Sequence, residues 1–307
     1  MTSYNWKKLG LIFKPEKKIW WLQSHAMIPT PHIIDSNLCK VYFSGRDKDN
    51  RSHIGFFVVY LEEPSRILDL SKQPVLSPGD IGSFDDNGVT PSCVVENNTD
   101  IFMYYIGWNP GFNVRMHLFG GLAVSQDNGN TFERYSKAPI IERNRVNPFL
   151  NTAPYIVKDH NLFRMYYVSG VEWIHKDLPR YNIQIAYSND GINWERNGVV
   201  AINFKNDNEM ALARPWVIKE NGIYKMWFSY KNNWEDGSTY NIGYAESNNG
   251  DDWLRKDKES GIKTSKNGWD SEMIEYAAVV PYKDKLYMFY NGNNYGFDGV
   301  GLAVAKR

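Results

Sequence analysis

The sequence has little cysteine, no excess charge of either sign and no long apolar run, and each shortage closes off a class of protein. Cys39 and Cys93 are its only cysteines. Both stand in apolar, strand-like runs, LCKVYF and PSCVV, where a small buried hydrophobe fits better than a disulfide. No Cys/His spacing of the zinc-binding kind occurs, so neither a metal nor a cofactor is expected. The 35 Lys+Arg balance 35 Asp+Glu, which leaves no electrostatic footprint for nucleic acid or for anionic lipid. No segment approaches the roughly 18 apolar residues of a membrane span, and MTSYNWKKLGLIF lacks the apolar stretch of a secretory signal. A soluble, cytoplasmic protein is expected, with no nucleic-acid or membrane partner. Helical signals are missing as well: no dozen residues sustain a 3.6 period between caps.

Aromatic side chains are what the chain has in abundance, at 15% of residues with 11 Trp and 20 Tyr. They suit half-buried pleated surfaces and the stacking faces that hold sugars or bases. They also recur in a phrase. TPHIIDSNLCKVYF, TPSCVVENNTDIFMYY, APYIVKDHNLFRMYY, RPWVIKENGIYKMWFSY and YAAVVPYKDKLYMFY repeat one pattern, a strand, a polar turn and a second strand ending in aromatics. Markers at Pro31, Pro91, Pro154, Pro215 and Ala277 are spaced 60, 63, 61 and 62 residues apart. Five units of about that length fill residues 1–307, leaving nothing for a second domain.

Two more strands follow in each unit. GGLAVSQDNGNTFERY, IQIAYSNDGINWERNG and IGYAESNNGDDWLRKD place Asn-Gly, Asp-Gly or a near relative between strand-like runs, a strong hairpin signal. Four antiparallel strands in each of five units predict an all-β, five-bladed β-propeller. The fifth unit stops at GVGLAVAKR, one strand short, and NWKKLGLIF near the start resembles NWERNGVVAI. The N-terminal strand is therefore expected to complete the last blade, closing the ring and removing exposed edges.

In such a ring the inner strands converge, so the segments before each marker should meet at one axis. SHAMIPTP, FDDNGVTP, PFLNTAP, NEMALARP and DSEMIEYA bring His25, Asp86, Asn87, Thr152, Glu209, Arg214, Asp270, Glu272, Glu275 and Tyr276. Arg214 stands where neighbouring units carry Thr30, Thr90 and Ala153, and a fixed guanidinium there suits a carboxylate or phosphate. Arg46 in FSGRDKDNRSH and the tryptophans Trp108, Trp173 and Trp234 are candidate rim residues. SQDNGNTF fits the pattern Ser-x-Asp-x-Gly-x-Thr-Phe, a hairpin brace expected on the outer part of a blade.

The five-unit layout, with DDNGVTPSCVV, GGLAVSQDNG, RPWVIKENGIYKMWFSY, GWDSEMIEY and YMFYNGNNYG, resembles the five-bladed glycosidase superfamily. That group holds the family 43 arabinanases and xylosidases, the invertases and levansucrases, and the β-mannoside phosphorylases. The resemblance covers essentially the whole chain and implies a sugar or oligosaccharide ligand, although the three family 43 carboxylate positions fall here on Thr30, Thr90 and Thr152. A threonine hydroxyl replaces neither the acid nor the base of glycoside hydrolysis.

A relocated pair is expected instead. Asp86 and Glu275 are the first choices, followed by Glu209 and Glu272. Asp86 in FDDNG also fits an Asx turn, and Glu209 and Glu272 also fit solvated loop positions. Glu275, beside Ile274 and the run YAAVV, should be partnered or have a raised pKa. His25, Arg46, Asn87, Thr152, Trp173, Arg214, Asp270 and Tyr276 are the expected substrate-binding set. The functional expectation is a glycoside hydrolase-like or phosphorylase-like enzyme acting on an intracellular oligosaccharide or activated sugar, in surface-polysaccharide metabolism. The alternative is a non-catalytic glycan-binding propeller that has lost the family carboxylates.

Overall fold

The computed structural model describes residues 4–159 and 162–307, and the side chain of Trp234, one of the rim candidates, lies outside that description. The strands fall into five antiparallel sets in chain order. The first is β2 (Ser24–Ile33), β3 (Leu38–Arg46), β4 (Ser52–Tyr60) and β5 (Glu63–Leu70). The second is β6 (Gly88–Asn97), β7 (Asp100–Pro110), β8 (Met116–Ser125) and β9 (Glu133–Arg134). The third is β10 (Asn151–Asp159), β11 (Leu162–His175), β12 (Leu178–Ser188) and β13 (Glu195–Ile202). The fourth is β14 (Glu209–Glu220), β15 (Ile223–Asn232), β16 (Asn241–Ser247) and β17 (Leu254–Arg255). The fifth holds β18 (Glu275–Tyr282), β19 (Lys285–Asn291) and β20 (Val300–Lys306), and β1 (Lys7–Phe13) pairs antiparallel onto β20.

Turn chemistry sets the registers. At Asn221-Gly222 both residues have positive φ, 51° and 80°, and the flanking Glu220 and Ile223 are partners across β14 and β15. That is the turn whose twist matches the strands it joins. The fourth strands of the second and fourth sets are only two residues long. Their turns are braced by side chains, which takes over the role of a longer ladder. Ser125 Oγ accepts from Gly129 N at 2.9 Å, and Asp127 carboxylate oxygens accept from Thr131 N and Oγ1 at 2.9 and 2.7 Å. Ser188 and Asp190 repeat the brace in the third set, as do Ser247 and Asn249 in the fourth.

Adjacent sets pack face to face through apolar clusters. One cluster joins the first and second sets (Tyr42 and Phe56 with Met103 and Tyr105), another the second and third, another the third and fourth. The largest carries the fourth set onto the fifth and the fifth onto the first, with Trp227, Phe289, Trp21 and Phe43 among its members. Cys39 and Cys93 are free and buried in these clusters.

A tyrosine latch recurs between neighbours. Tyr42 Oη donates to Gly129 O at 2.8 Å, Tyr104 Oη to Gly191 O at 2.8 Å and Tyr166 Oη to Gly250 O at 2.7 Å. Each ties the second strand of one set to the braced turn of the next. Glycine is required at the first of these turns, because φ is +74° and a Cβ on Gly129 would sit 2.0 Å from the Tyr42 hydroxyl. Tyr104→Phe strands a buried carbonyl without its donor, and a loss of about 1–3 kcal/mol is expected from the denaturant midpoint.

Candidate functional site

The inner strands of four sets break register at their starts. The shifts fall between Met27 and Thr30, Thr152 and Tyr155, Ala213 and Trp216, and Glu275 and Ala278. Inside each break one non-glycine residue takes a left-handed backbone: Ile28 (φ 53°), Ala153 (48°), Arg214 (52°) and Tyr276 (56°). A bulge of this kind re-aims a side chain and bends its strand. Residues held in this region cost about 1–3 kcal/mol each and persist where their surroundings over-determine them, typically at functional sites. Here neighbouring sets do the holding. Ile28 N donates to Asn291 Oδ1 at 2.8 Å, and Tyr276 N donates to Ser229 Oγ at 2.8 Å.

All four left-handed residues line one cavity of about 510 Å³, to which all five sets contribute. Its wall also carries Arg46, Ile106, Trp108, Arg115, Thr152, Tyr181, Lys231, Tyr240, Glu272 and Tyr295.

Arg214 is the most constrained group of that wall. It is 1% exposed, and its guanidinium lies 4.9 Å from the Trp216 ring centroid. Nη2 donates to Pro29 O and to Thr30 Oγ1, both at 3.0 Å, while Nε and Nη1 are buried without an acceptor. Among the described residues no carboxylate pairs with it. Burial lowers its pKa to about 10, so it remains a cation at neutral pH. The hydroxyl of Thr152 is likewise buried without a partner.

Lys231, on β15, donates to Tyr295 Oη at 3.3 Å and sits 4.6 Å from the Tyr240 ring centroid. Burial, aided by the Arg115 guanidinium and opposed by Glu275, lowers its pKa to about 8. Glu275 is fully buried, and neither carboxyl oxygen has a hydrogen-bond partner. Burial pushes its pKa well above the carboxylate range, against the opposing pull of Lys231 and of the Tyr276 hydroxyl. Glu275 itself does not line the cavity; Lys231 and Tyr276, which act on it, do. Tyr181 and Tyr240 share a hydroxyl–hydroxyl bond of 2.5 Å on the same wall.

The residues expected from sequence thus divide. Arg46, Thr152, Arg214, Glu272 and Tyr276 line the cavity, and Glu272 is exposed at its rim. Arg46 donates to Asn50 Oδ1 at 3.0 Å and reaches Met27 Sδ at 3.5 Å. His25 does not line it: its Nδ1 is 2.8 Å from Ser24 Oγ and its ring meets Phe297 edge-on. Burial, with Arg46 adding to it, lowers the His25 pKa to about 4.

The remaining candidates stand elsewhere. Asp86 accepts from Gly82 N at 2.9 Å and from Asn109 Nδ2 at 2.8 Å, shaping the turn before β6, and Asn87 is exposed beside it. Glu209 is held by Arg255 through contacts of 2.6 and 2.7 Å. Asp270 is paired with Lys8 at 2.6 Å and accepts from Tyr290 Oη at 2.9 Å. Trp173 packs on the apolar cluster around Ile106 and Val168.

Lys231, Arg115, Tyr181, Tyr240 and Tyr295 were not anticipated. For Lys231 a signal exists: aligning MYYVSG, MWFSYK and MFYNGN puts it where the third and fifth units have Gly170 and Asn293. Among the described residues no group of three or more His, Cys, Asp or Glu could hold a metal ion. No helix among them is long and apolar enough to cross a membrane.

The fold is that of known glycoside hydrolases. A structure titled as the GH130 family of mannoside phosphorylases, containing glycoside hydrolases that target β-1,2 mannosidic linkages in Candida mannan, superposes with a TM-score of 0.73 at 15% identity, over 99% of this chain and 93% of that one. A thermostable family-43 glycoside hydrolase does so with a TM-score of 0.67 at 19% identity, over 91% of this chain and 88% of its own. No family model matches the chain. It belongs to the same family as the Mycobacterium tuberculosis (strain H37Rv) protein named "Uncharacterized protein Rv1502", with 38% identity over 303 residues, 98% of this chain and 99% of the relative.

Proposed function

We propose that the chain is a cytoplasmic, single-domain, five-bladed β-propeller, closed by β1, that acts on a glycosidic or glycosyl-phosphate bond held in the central cavity. The observation that carries this reading is the convergence of four strained inner-strand residues on one cavity that has a buried, unpartnered carboxyl, Glu275, just behind its wall. Glu275, kept protonated by burial, suits the acid that assists a leaving group, acting through Tyr276 or after a small shift into the cavity. Among the described residues Glu272, at the rim, is the one carboxylate that lines the cavity, and it suits the base. The aromatic wall offers Trp108, Tyr240 and Tyr295 as faces for sugar rings. The likeness to glycoside hydrolases and to a mannoside phosphorylase supports the same class.

A second reading, a glycan-binding propeller without turnover, is favoured by one specific feature. Two of the three threonines at the family carboxylate positions are engaged in bracing: Thr30 Oγ1 accepts from Arg214, and Thr90 Oγ1 accepts from Trp108 Nε1 at 3.0 Å. Aryl glycosides assayed with and without inorganic phosphate separate the two. Turnover of at least one glycoside is expected; sugar binding by calorimetry with no turnover across a broad panel would leave only the second reading standing.

A further inference from the structure

The cavity wall is unevenly charged in a chain whose overall charge is balanced. Among the described residues Arg46, Arg115, Arg214 and Lys231 line it, against a single lining carboxylate, Glu272, at the rim. Several buried or half-buried cations of this protein are matched by acids: Arg164 lies 3.1 Å from Asp251, Arg255 is held by Glu209 and Asp257, and Lys225 by Glu220. Arg214, at the centre, has no such acid among the described residues. Its Nε and Nη1 are buried without acceptors, and the Thr152 hydroxyl on the same wall has none either. A buried guanidinium is costly unless its N–H groups are satisfied and its charge is offset. Its planar fork matches the spacing of two oxygens on a phosphate or carboxylate.

We infer that the ligand is a sugar carrying its own oxyanion, a phosphate or a carboxylate, seated against Arg214 and Thr152. This rests on the reading of the cavity as a sugar site and adds the charge of the sugar. The oxyanion supplies the acceptors that Arg214 lacks, while Lys231, Arg115 and Arg46 provide the surrounding positive field. Tyr240, Tyr276 and Trp108 are left to face the uncharged part of the ring. The same wall would hold a neutral glycan poorly, because such a ligand leaves the guanidinium charge unmatched.

The test is calorimetric titration of the full chain with four kinds of probe: hexose phosphates, hexuronates, the matching neutral hexoses, and inorganic phosphate alone. At least one charged sugar is expected to bind 10-fold or more tightly than its neutral counterpart. Preference for the hexose phosphate assigns a phosphate, and preference for the hexuronate assigns a carboxylate. Equal binding of neutral and charged sugars would overturn the inference while leaving the sugar site intact; no binding by any sugar would overturn both. Inorganic phosphate binding as tightly as the hexose phosphate would also overturn it, by showing that the anion is not recognised as part of a sugar.

Arg214→Met is expected to weaken the favoured sugar at least 10-fold with little change in the thermal midpoint, since removing an unmatched buried charge offsets the loss of the bonds to Pro29 O and Thr30 Oγ1. Unchanged affinity in that variant would count against the assignment. Should Arg214→Met not fold, Thr152→Val serves in its place, with a several-fold loss expected for the charged sugar and none for the neutral one.

Discussion

Glu275→Gln is expected to reduce kcat on a productive glycoside by about 10²–10⁴-fold, the usual worth of a positioned general acid, without loss of stability. The amide has the shape of the protonated carboxyl but cannot give up a proton to a leaving group. Stability should hold because Glu275 is buried with neither oxygen hydrogen-bonded, so no partner is stranded by the exchange. The pH dependence follows from the direction of its shift. Burial raises the folded-state pKa well above that of the unfolded chain, so between the two values the folded protein keeps a proton that the unfolded chain has released. Stability therefore falls as pH rises through that window. Subtracting the Glu275→Gln profile from that of the wild type isolates this slope. In activity, the wild type should lose turnover on the alkaline side as Glu275 ionises. A glutamine variant with wild-type kcat would remove Glu275 from the chemistry.

Arg255→Ala is expected to have the largest effect on folding, a loss of about 3–5 kcal/mol by denaturant titration. Arg255 reaches Glu209 at 2.6 Å and Asp257 at 2.8 Å, and both acids are nearly buried. Removing the arginine leaves two carboxylates without their shared counter-charge. A double replacement of Arg255 by Met and Glu209 by Leu should recover much of the loss, because packed apolar groups substitute well for a buried ion pair. A loss under about 1 kcal/mol for Arg255→Ala would show instead that water reaches the pair and screens it.

The strand sets were legible because each repeated phrase carries its own turn chemistry and aromatic pair, and because β1 resembles the outer strand of an earlier unit. The site was legible only in part. Position along the inner strand was readable from the spacing of the marker residues, which is how Arg214, Thr152 and Tyr276 came forward. The destinations of the acids were not. Glu209 opens β14 as Glu275 opens β18, and Asp270 stands just before β18, yet Glu209 and Asp270 are claimed by Arg255 and Lys8, partners far away in sequence that no local pattern announces. Asp86 shapes the turn before β6 by accepting from Gly82 N, four residues behind it, and not from the backbone ahead as the Asx turn read from FDDNG requires. The left-handed bulges decide which side chain faces the cavity, and a one-residue break in register leaves no mark on a period of about sixty residues. The cationic wall was hidden for a different reason: a balanced total charge says nothing about where the charges gather.

A crystal structure with the tightest-binding sugar tests the central claim most directly. The expected result is density inside the cavity bounded by Ile28, Ala153, Arg214 and Tyr276, with ligand oxygens in hydrogen-bond range of Arg214 Nη1 and Thr152 Oγ1. A sugar seated on the outer faces of the sheets, with that cavity empty, would contradict it.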